Sequence, residues 1–515
     1  MKTVIIDGEH LTIEDIVQVA REGAVVELSD SSRNKIQTAR GWVERIIEQK
    51  EPVYGINTGF GVFSEKRISS EELIKLNRNL ILSHAVGTGA PLDDEIVRAA
   101  ILVRANTLAK GFSGVRIEII DTLLQMLNRN VTPVIPSKGS LGSSGDLGPL
   151  AHLALVFTLG QMDLESESGQ AKLEGEILSG KVAMSKASIR RLMLEAKEGL
   201  ALINGATFTA AVAALAIFDA EILLKTAEIS LAMTLEALLG CIAAFDERLH
   251  AVRGLKGQMK VAEDVRRLTK GSNLLNKGGQ VQDAYSLRCA PQVQGIGWDT
   301  LDFVKSLITS EINAATDNPL LFEPGIAISG GNFHGEPLGM AMDFLGIALS
   351  EIAAISERRI YRLTCGCMNL GLPPMLVDQP EDAGLNSGIM LTQYTAASLV
   401  LENQHLAAPD SVHSLPTSQC KEDHNANSMI AARHTREIVA NTSHILAIEL
   451  FAAARALDMR IRDISGVILG NGTEQAYQTI REDVKYQPGD ALWGEEIERV
   501  KIIINQKIYK IIETC

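Results

Sequence analysis

Residues 139 to 149 read Gly139-Ser140-Leu141-Gly142-Ser143-Ser144-Gly145-Asp146-Leu147-Gly148-Pro149, and the Ser143-Ser144-Gly145 core can make an electrophile from its own backbone. The amide nitrogen of Gly145, with no side chain to block its approach, can attack the Ser143 carbonyl and close a five-membered ring. The Ser143 carbonyl oxygen leaves as one water, and loss of the Ser144 hydroxyl as a second leaves an exocyclic alkene, a group that no side chain supplies. Glycines at 139, 142, 145 and 148 are what a backbone held in compressed geometry needs; a plain Gly/Ser turn is the competing reading. Asp146 also reads two ways, as a group that orients the loop during closure or as the N-cap of a helix over Leu147 to Leu159.

Long elements must hold such a loop. After a mixed opening, with strands at Val4 to Ile6 and Val25 to Leu28 and helices over Glu14 to Arg21 and Ser32 to Gln49, helical periodicity dominates. Asp93 or Asp94 caps a helix that stops at Gly111, and Pro337 opens one reaching Arg362. Further helices are predicted over Asn386 to Leu406 and Ser428 to Arg462. The apolar stretches Gly199 to Phe218 and Glu228 to Phe245 read as helices buried within a bundle; the first carries Asn204 and Thr207, so no membrane span is expected. Two domains follow: 1–200 with the reactive loop, and 201–515 with the long helices and a charged helical C-terminus.

Hydrophobic residues make up 46% of the 515 and aromatics only 4%, so Ala, Leu, Ile and Val fill the interior, which suits close helix packing. The net charge of −14 argues against a nucleic-acid or anionic-membrane partner. Six cysteines, with no Cys-x-x-Cys pair, predict reduced thiols in a cytoplasmic protein, and the apolar run at the N-terminus is too short for a signal peptide. Cys365-Gly366-Cys367 reads as two neighbouring thiols in preference to a soft-metal site. Glu422-Asp423-His424 is not a metal site either, because contiguous side chains do not turn to one point. No metal is expected.

The motifs Tyr54-Gly55-Ile56-Asn57-Thr58-Gly59-Phe60-Gly61, Ser83-His84, Arg104 to Gly111, the Ser-Ser-Gly loop, Ile203-Asn204-Gly205, Gln282 to Cys289, Asp317-Asn318-Pro319-Leu320, Gly330 to His334, Ser356-Glu357-Arg358-Arg359 and Glu422-Asp423-His424 occur in an order that resembles the aromatic amino-acid ammonia-lyase family. Within it the chain is most similar to members acting on histidine. The resemblance implies a mainly α protein, an elongated central helical bundle with a smaller mixed α/β N-terminal region, of the ammonia-lyase/fumarase-like kind. It implies a methylidene-imidazolone (MIO) cofactor formed from Ser143, Ser144 and Gly145, with no external cofactor. It also implies a homotetramer acting on a small-molecule amino acid, with sites drawing residues from three subunits.

By the same resemblance Tyr54 is the base, although a phenol with a pKa near about 10 must be brought down to act near neutrality. Tyr285 assists at the reactive centre and Arg288 clamps the substrate carboxylate, a task its forked donors suit; an internal salt bridge is the other reading of Arg288. Asn204 and Gln282 hydrogen-bond the cofactor carbonyl or the substrate, and Phe333 packs by the cofactor. His84, Met390 and Glu422 match positions that contact an imidazole ring, where a carboxylate can accept a ring N–H. L-Histidine elimination to trans-urocanate and ammonia is the implied reaction.

Some residues depart from the family pattern. Ser143 replaces alanine, Lys421 replaces glutamine, Asn204-Gly205-Ala206-Thr207 replaces Asn-Gly-Thr-Gln, and Asn425-Ala426-Asn427 adds about two residues. Lys421 reads as a surface charge paired with Asp423 or as a pocket cation that selects an anionic imidazole. The competing functions are an ergothionase-like lyase releasing trimethylamine, an aminomutase, and an inactive helical scaffold.

Overall fold

The computed structural model describes residues 2–49, 52–59, 61–64, 66–69 and 71–515. The protein is mainly α; among the described residues the strands form small sheets of two or three strands. The chain makes two compact units, neither continuous in sequence: Met1–Phe218 with Lys305–Asp343 and Pro409–Arg433, and Asp219–Val304 with Phe344–Ala408 and His434–Cys515.

In the first unit, Thr3–Ile6 pairs in parallel with Val25–Leu28, and the helix Ile13–Arg21 connects them. Thr12 starts that helix with a capping box: its hydroxyl accepts from the Asp15 amide at 3.0 Å, and the Asp15 carboxylate accepts from the Thr12 amide at 3.3 Å. The helix Asp94–Ala109 is buried at every residue from Ile96 onward, so its polar side chains need partners. They have them: Asn106 accepts from the Gly8 amide at 2.9 Å, and the Arg98 guanidinium donates to the Val19 carbonyl at 2.9 Å. Asp93 occupies the expected N-cap position, yet its side chain makes no capping bond.

Two long apolar stretches break where periodicity predicts continuity. Glu198–Ile203 and Thr207–Ala237 are separate helices, because Asn204 is extended and Gly205 takes φ +103°. The carbonyl that Asn204 frees is not stranded; buried Arg104 donates to it at 2.6 Å. The second break follows Ala237, where Leu239 takes φ +51° and only a short 3-10 turn, Ile242–Phe245, continues. A third helix starts late, at Met390 instead of Asn386, because Gly388 sits at φ +61° with no room for a Cβ against the Met375 carbonyl.

Long helices also fill the second unit. Glu336–Thr364 and Ser428–Asp463 cross into it from the first and match their predicted spans within two residues or so, and Asn471–Asp483 and Trp493–Gln506 form the C-terminal helices. Thr207–Ala237, Glu336–Thr364 and Ser428–Asp463 have the length and hydropathy of membrane spans, but 83%, 72% and 78% of those windows are buried within the protein. Their apolar surface already has a protein partner.

Candidate active site

The break at Asn204-Gly205 positions the Ser-Ser-Gly loop. Gly205 donates its amide to the Ser144 carbonyl at 3.2 Å and accepts from the Asp146 amide at 2.9 Å, so two non-helical segments pair like short strands. Asn204, with its amide oriented to satisfy both ends, donates to the same Ser144 carbonyl at 2.8 Å and accepts from the Asn318 amide at 3.0 Å. One carbonyl oxygen thus receives two donors in a buried setting, the arrangement that polarises a carbonyl.

Glycine is obligatory here. A Cβ at Gly145 (φ +84°) would stand 2.0 Å from the Gly205 carbonyl carbon, and one at Gly142 (φ +68°) 1.8 Å from Ser428 Oγ. Among the described residues none accepts a hydrogen bond from the Gly145 amide, although the adjacent Asp146 amide is engaged. The nitrogen that cyclisation needs is therefore the uncommitted one. These features fit a ring closed from Ser143, Ser144 and Gly145: glycine backbone with no room for a Cβ, an amide without an acceptor among the described residues, and donors on the carbonyl the ring would retain.

Asp146 stands at the N-cap position of Leu147–Phe157 without capping it. Its carboxylate accepts instead from Ser140 Oγ at 2.7 Å and from the Thr209 amide at 2.8 Å. Burial pushes its pKa up, against those donors. The group ties the loop's entry to the first turn of Thr207–Ala237.

A cavity of about 1390 Å³ opens over this loop, lined by Tyr54, His84, Ser143, Ser144, Asn204, Phe333, Lys421 and Glu422 among others. These sequence-derived candidates come together within the first unit. Gln282, Tyr285, Arg288 and Met390 belong to the second unit and do not line it. Tyr285 is 70% exposed, and the Arg288 guanidinium stacks on its ring at 4.6 Å and donates to the Asp283 carbonyl at 2.9 Å. No carboxylate holds Arg288 among the described residues, so the internal salt-bridge reading is not found.

Glu422 accepts from Ser144 Oγ at 2.9 Å through one oxygen and from Thr417 Oγ1 at 2.9 Å through the other. Thr417 and Glu422 also pair through their backbones, closing a hairpin in which Ser418, Gln419 and Cys420 all take positive φ. Such conformations cost about 1 kcal/mol or more each, so this hairpin stores strain to hold Glu422 over the loop. Lys421 is exposed at the cavity, and the expected pairing with Asp423 does not form.

His84, half-buried at the end of Leu73–His84, sets Nδ1 2.8 Å from the Leu80 carbonyl. That contact assigns the ring proton to Nδ1 and leaves Nε2 an acceptor. Burial lowers the His84 pKa, more than the Leu80 bond and Glu422 raise it, so the ring is neutral at neutral pH. For Tyr54 the direction is also set by burial: its phenol moves up, only partly offset by a hydrogen bond from the Gly61 amide, and Glu422 and Asp317 push it further up. The lowering that a base near neutrality needs is not supplied by the groups around it on this chain.

Several participants carry no signal of their own in the sequence. Thr209 and Thr417 act through backbone or hydroxyl contacts that any polar loop could make. Ala426 is subtler: its amide donates to Ser143 Oγ at 3.0 Å, joining two of the departures from the family pattern. Only their coincidence as departures could have suggested the contact.

The helical scaffold and the Ser-Ser-Gly loop beneath the cavity define a lyase of the ammonia-lyase fold. The sequence profile described as Aromatic amino acid lyase matches residues 11–482, and the chain belongs to that family. It is 48% identical over 517 residues to a histidine ammonia-lyase of Alkaliphilus oremlandii, covering 100% of this chain and 99% of that protein. Its structure is similar to the crystal structure of histidine ammonia-lyase from Trypanosoma cruzi, with TM-score 0.90, 36% identity, and 100% and 95% of the two chains covered. It is also similar to ergothionase from Treponema denticola in complex with desmethyl-ergothioneine sulfonic acid, with TM-score 0.89, 30% identity, and 99% of each chain covered.

Proposed function

We propose that this carbon-nitrogen lyase removes ammonia from L-histidine to give trans-urocanate. The observation that carries the reading is the meeting of His84 and Glu422 with the Ser144 loop in one cavity: an imidazole-reading pair stands where the electrophile would form. An MIO group formed from Ser143, Ser144 and Gly145 would supply an electrophilic alkene that makes the amine a better leaving group. Asn204 and Gly205 polarise the Ser144 carbonyl. Neutral His84 and Glu422 receive the ring, Tyr54 takes the β-proton, and Phe333 closes one wall. The Cα–N and Cβ–H bonds break, and the electron pair of the C–H bond forms the alkene.

Gln282, Tyr285, Arg288 and Met390 serve a site on another chain. Their absence from the cavity lining and the exposure of Gln282 and Tyr285 support a homotetramer in which neighbours complete each site, with Arg288 taking the substrate carboxylate. A neighbour also provides the means to bring the Tyr54 phenol down. Mixing inactive Tyr54→Phe and Arg288→Ala proteins then restores part of the activity in hybrid tetramers; no restoration would mean that both residues act from one chain. A cytoplasmic location accords with six free cysteines.

Lys421 at the cavity, without an ion pair among the described residues, favours one second reading, a lyase taking an imidazole with anionic character such as ergothioneine and releasing trimethylamine. Purified protein incubated with histidine, ergothioneine, tyrosine and phenylalanine, followed by ultraviolet absorption of the conjugated acid and by chromatography of any β-amino acid, separates these reactions. Urocanate from histidine alone is expected. Turnover of ergothioneine without histidine turnover would replace the proposal with the second reading.

A further inference from the structure

The second unit carries a pair of thiols for which the proposed reaction has no use. Cys365 follows the last turn of Glu336–Thr364, and its Sγ lies 3.0 Å from Sγ of Cys367, closer than ordinary van der Waals contact between sulfurs. Cys367 is exposed and Cys365 partly so. We propose that Cys365 and Cys367 form a redox-active dithiol that reduces small-molecule disulfides and itself closes to an intramolecular disulfide.

The loop is built to keep the sulfurs together. Its backbone turns back through the Met368 amide, which donates to the Cys365 carbonyl at 2.8 Å. Gly366 lies against Pro374, where a Cβ would meet the ring at 2.6 Å, so the residue between the thiols can only be small. Further along, the buried Arg460 guanidinium donates to the Asn369 and Leu370 carbonyls at 2.9 and 3.0 Å, and Asn369 donates to the Leu363 carbonyl at 3.1 Å. A loop so anchored loses little further entropy on cross-linking.

Distance decides between a disulfide and a metal. Two thiolates on one tetrahedral ion with metal–sulfur bonds of about 2.3 Å sit roughly 3.7 Å apart, whereas a disulfide needs about 2.05 Å. At 3.0 Å the pair is already inside the chelating separation, and among the described residues no group of three ligands surrounds it. The two sulfurs also differ in reactivity. The contact within the pair holds the Cys365 thiol's pKa below its usual value, helped by the Cys367 and Met368 amides and Arg362, while Cys367 is raised. Cys365 is the attacking sulfur and Cys367 the resolving one.

The exchange balances without a further reactant. The Cys365 thiolate attacks one sulfur of the external disulfide, forming a mixed disulfide and expelling one thiolate. Cys367, as thiolate, attacks the Cys365 sulfur and expels the second. Both expelled thiolates take up the protons released by the two cysteines, so the protein loses two hydrogens and the small disulfide becomes two thiols.

Glutathione disulfide is the probe, applied to the assembled full-length protein, with exposed Cys420 as an internal reference thiol. Mass spectrometry of wild-type protein is expected to show two hydrogens lost at Cys365 and Cys367 without retained glutathione. Cys367→Ser is expected to trap a glutathione adduct on Cys365, formed at least tenfold faster than on Cys420; Cys365→Ser should leave Cys367 no faster than Cys420. Persistent glutathione adducts on wild-type Cys365 or Cys367, or equal rates at Cys365 and Cys420, would overturn the proposal.

Discussion

The corner around Ser144 and the interior around Glu449 both bury polar groups among helices, and they treat them in opposite ways. In the second unit, the Glu449 carboxylate accepts from Arg359 Nε at 2.5 Å and Nη2 at 2.7 Å, from Ser356 at 2.6 Å, from Thr234 at 2.9 Å and from Ser230 at 3.0 Å. Every donor there comes from the body of a regular helix, and the charge is saturated. Around Ser144 the backbone leaves helical geometry at Gly142, Gly145 and Gly205, and among the described residues the Gly145 amide has no acceptor. A saturated network fixes a packing arrangement. One left open at a single nitrogen, with its surroundings fixed, is prepared to react.

Breaking the contrast at its centre should have the largest effect. Ser144→Ala removes the hydroxyl that must leave for the alkene to form, yet Gly142, Gly145 and the Asn204-Gly205 pairing remain. The expected outcome is a folded protein whose intact mass shows no loss of two waters and whose activity on histidine falls to background. Full activity with an unmodified chain would remove the electrophile from the mechanism and leave Asn204 and Gly205 as structural groups.

Glu236 tests the other region, because there a buried carboxylate lacks an arginine partner. It is fully buried, and its pKa is raised by burial to about 7, although it accepts from the Gly470 amide at 2.8 Å. An acid whose folded pKa lies above its unfolded value stabilises fully below the unfolded pKa, near 4.5, and loses that contribution as pH rises to about 7. At about 1.4 kcal/mol per unit, the loss is roughly 3 kcal/mol. Glu236→Gln keeps the acceptor and removes the titration, so thermal unfolding of the variant is expected to vary less than wild type between about pH 5 and pH 8. Identical pH profiles would place the titration elsewhere.

The same contrast explains what could be read from the sequence. Ser428–Asp463 and Asp94–Ala109 are visible because apolar periodicity and end signals coincide with the helix that forms. The break at Asn204 is invisible to periodicity: the flanking residues are apolar on both sides, and the carbonyl freed where Asn204 turns extended is met by Arg104, a hundred residues away, which donates to it. The unit boundaries are equally silent, since those near 218, 304, 343 and 433 fall within continuous helices. Among the cavity residues, Tyr54, His84, Ser144 and Glu422 were legible by motif. The bond from Ala426 to Ser143 was not, because it joins a backbone amide to a side chain 283 positions away.

That bond yields the smallest and sharpest test. Ser143→Ala installs the residue that the resembling family carries, and the ring chemistry needs only the residue's carbonyl, so the loss of two waters should proceed unchanged. What disappears is the acceptor for the Ala426 amide, a donor buried with its residue fully enclosed. An orphaned buried donor costs about 1–3 kcal/mol, and the segment that bears the cost leads directly back to Glu422. If about 1 kcal/mol of that is felt in how Glu422 is held, KM for histidine rises roughly fivefold while kcat changes little. An unchanged KM would mean that the hairpin closed by Thr417 holds Glu422 alone. A failure to lose water would instead give the Ser143 hydroxyl a part in ring closure, and the departure from alanine would then belong to the chemistry of the loop and not to the shape of the pocket above it.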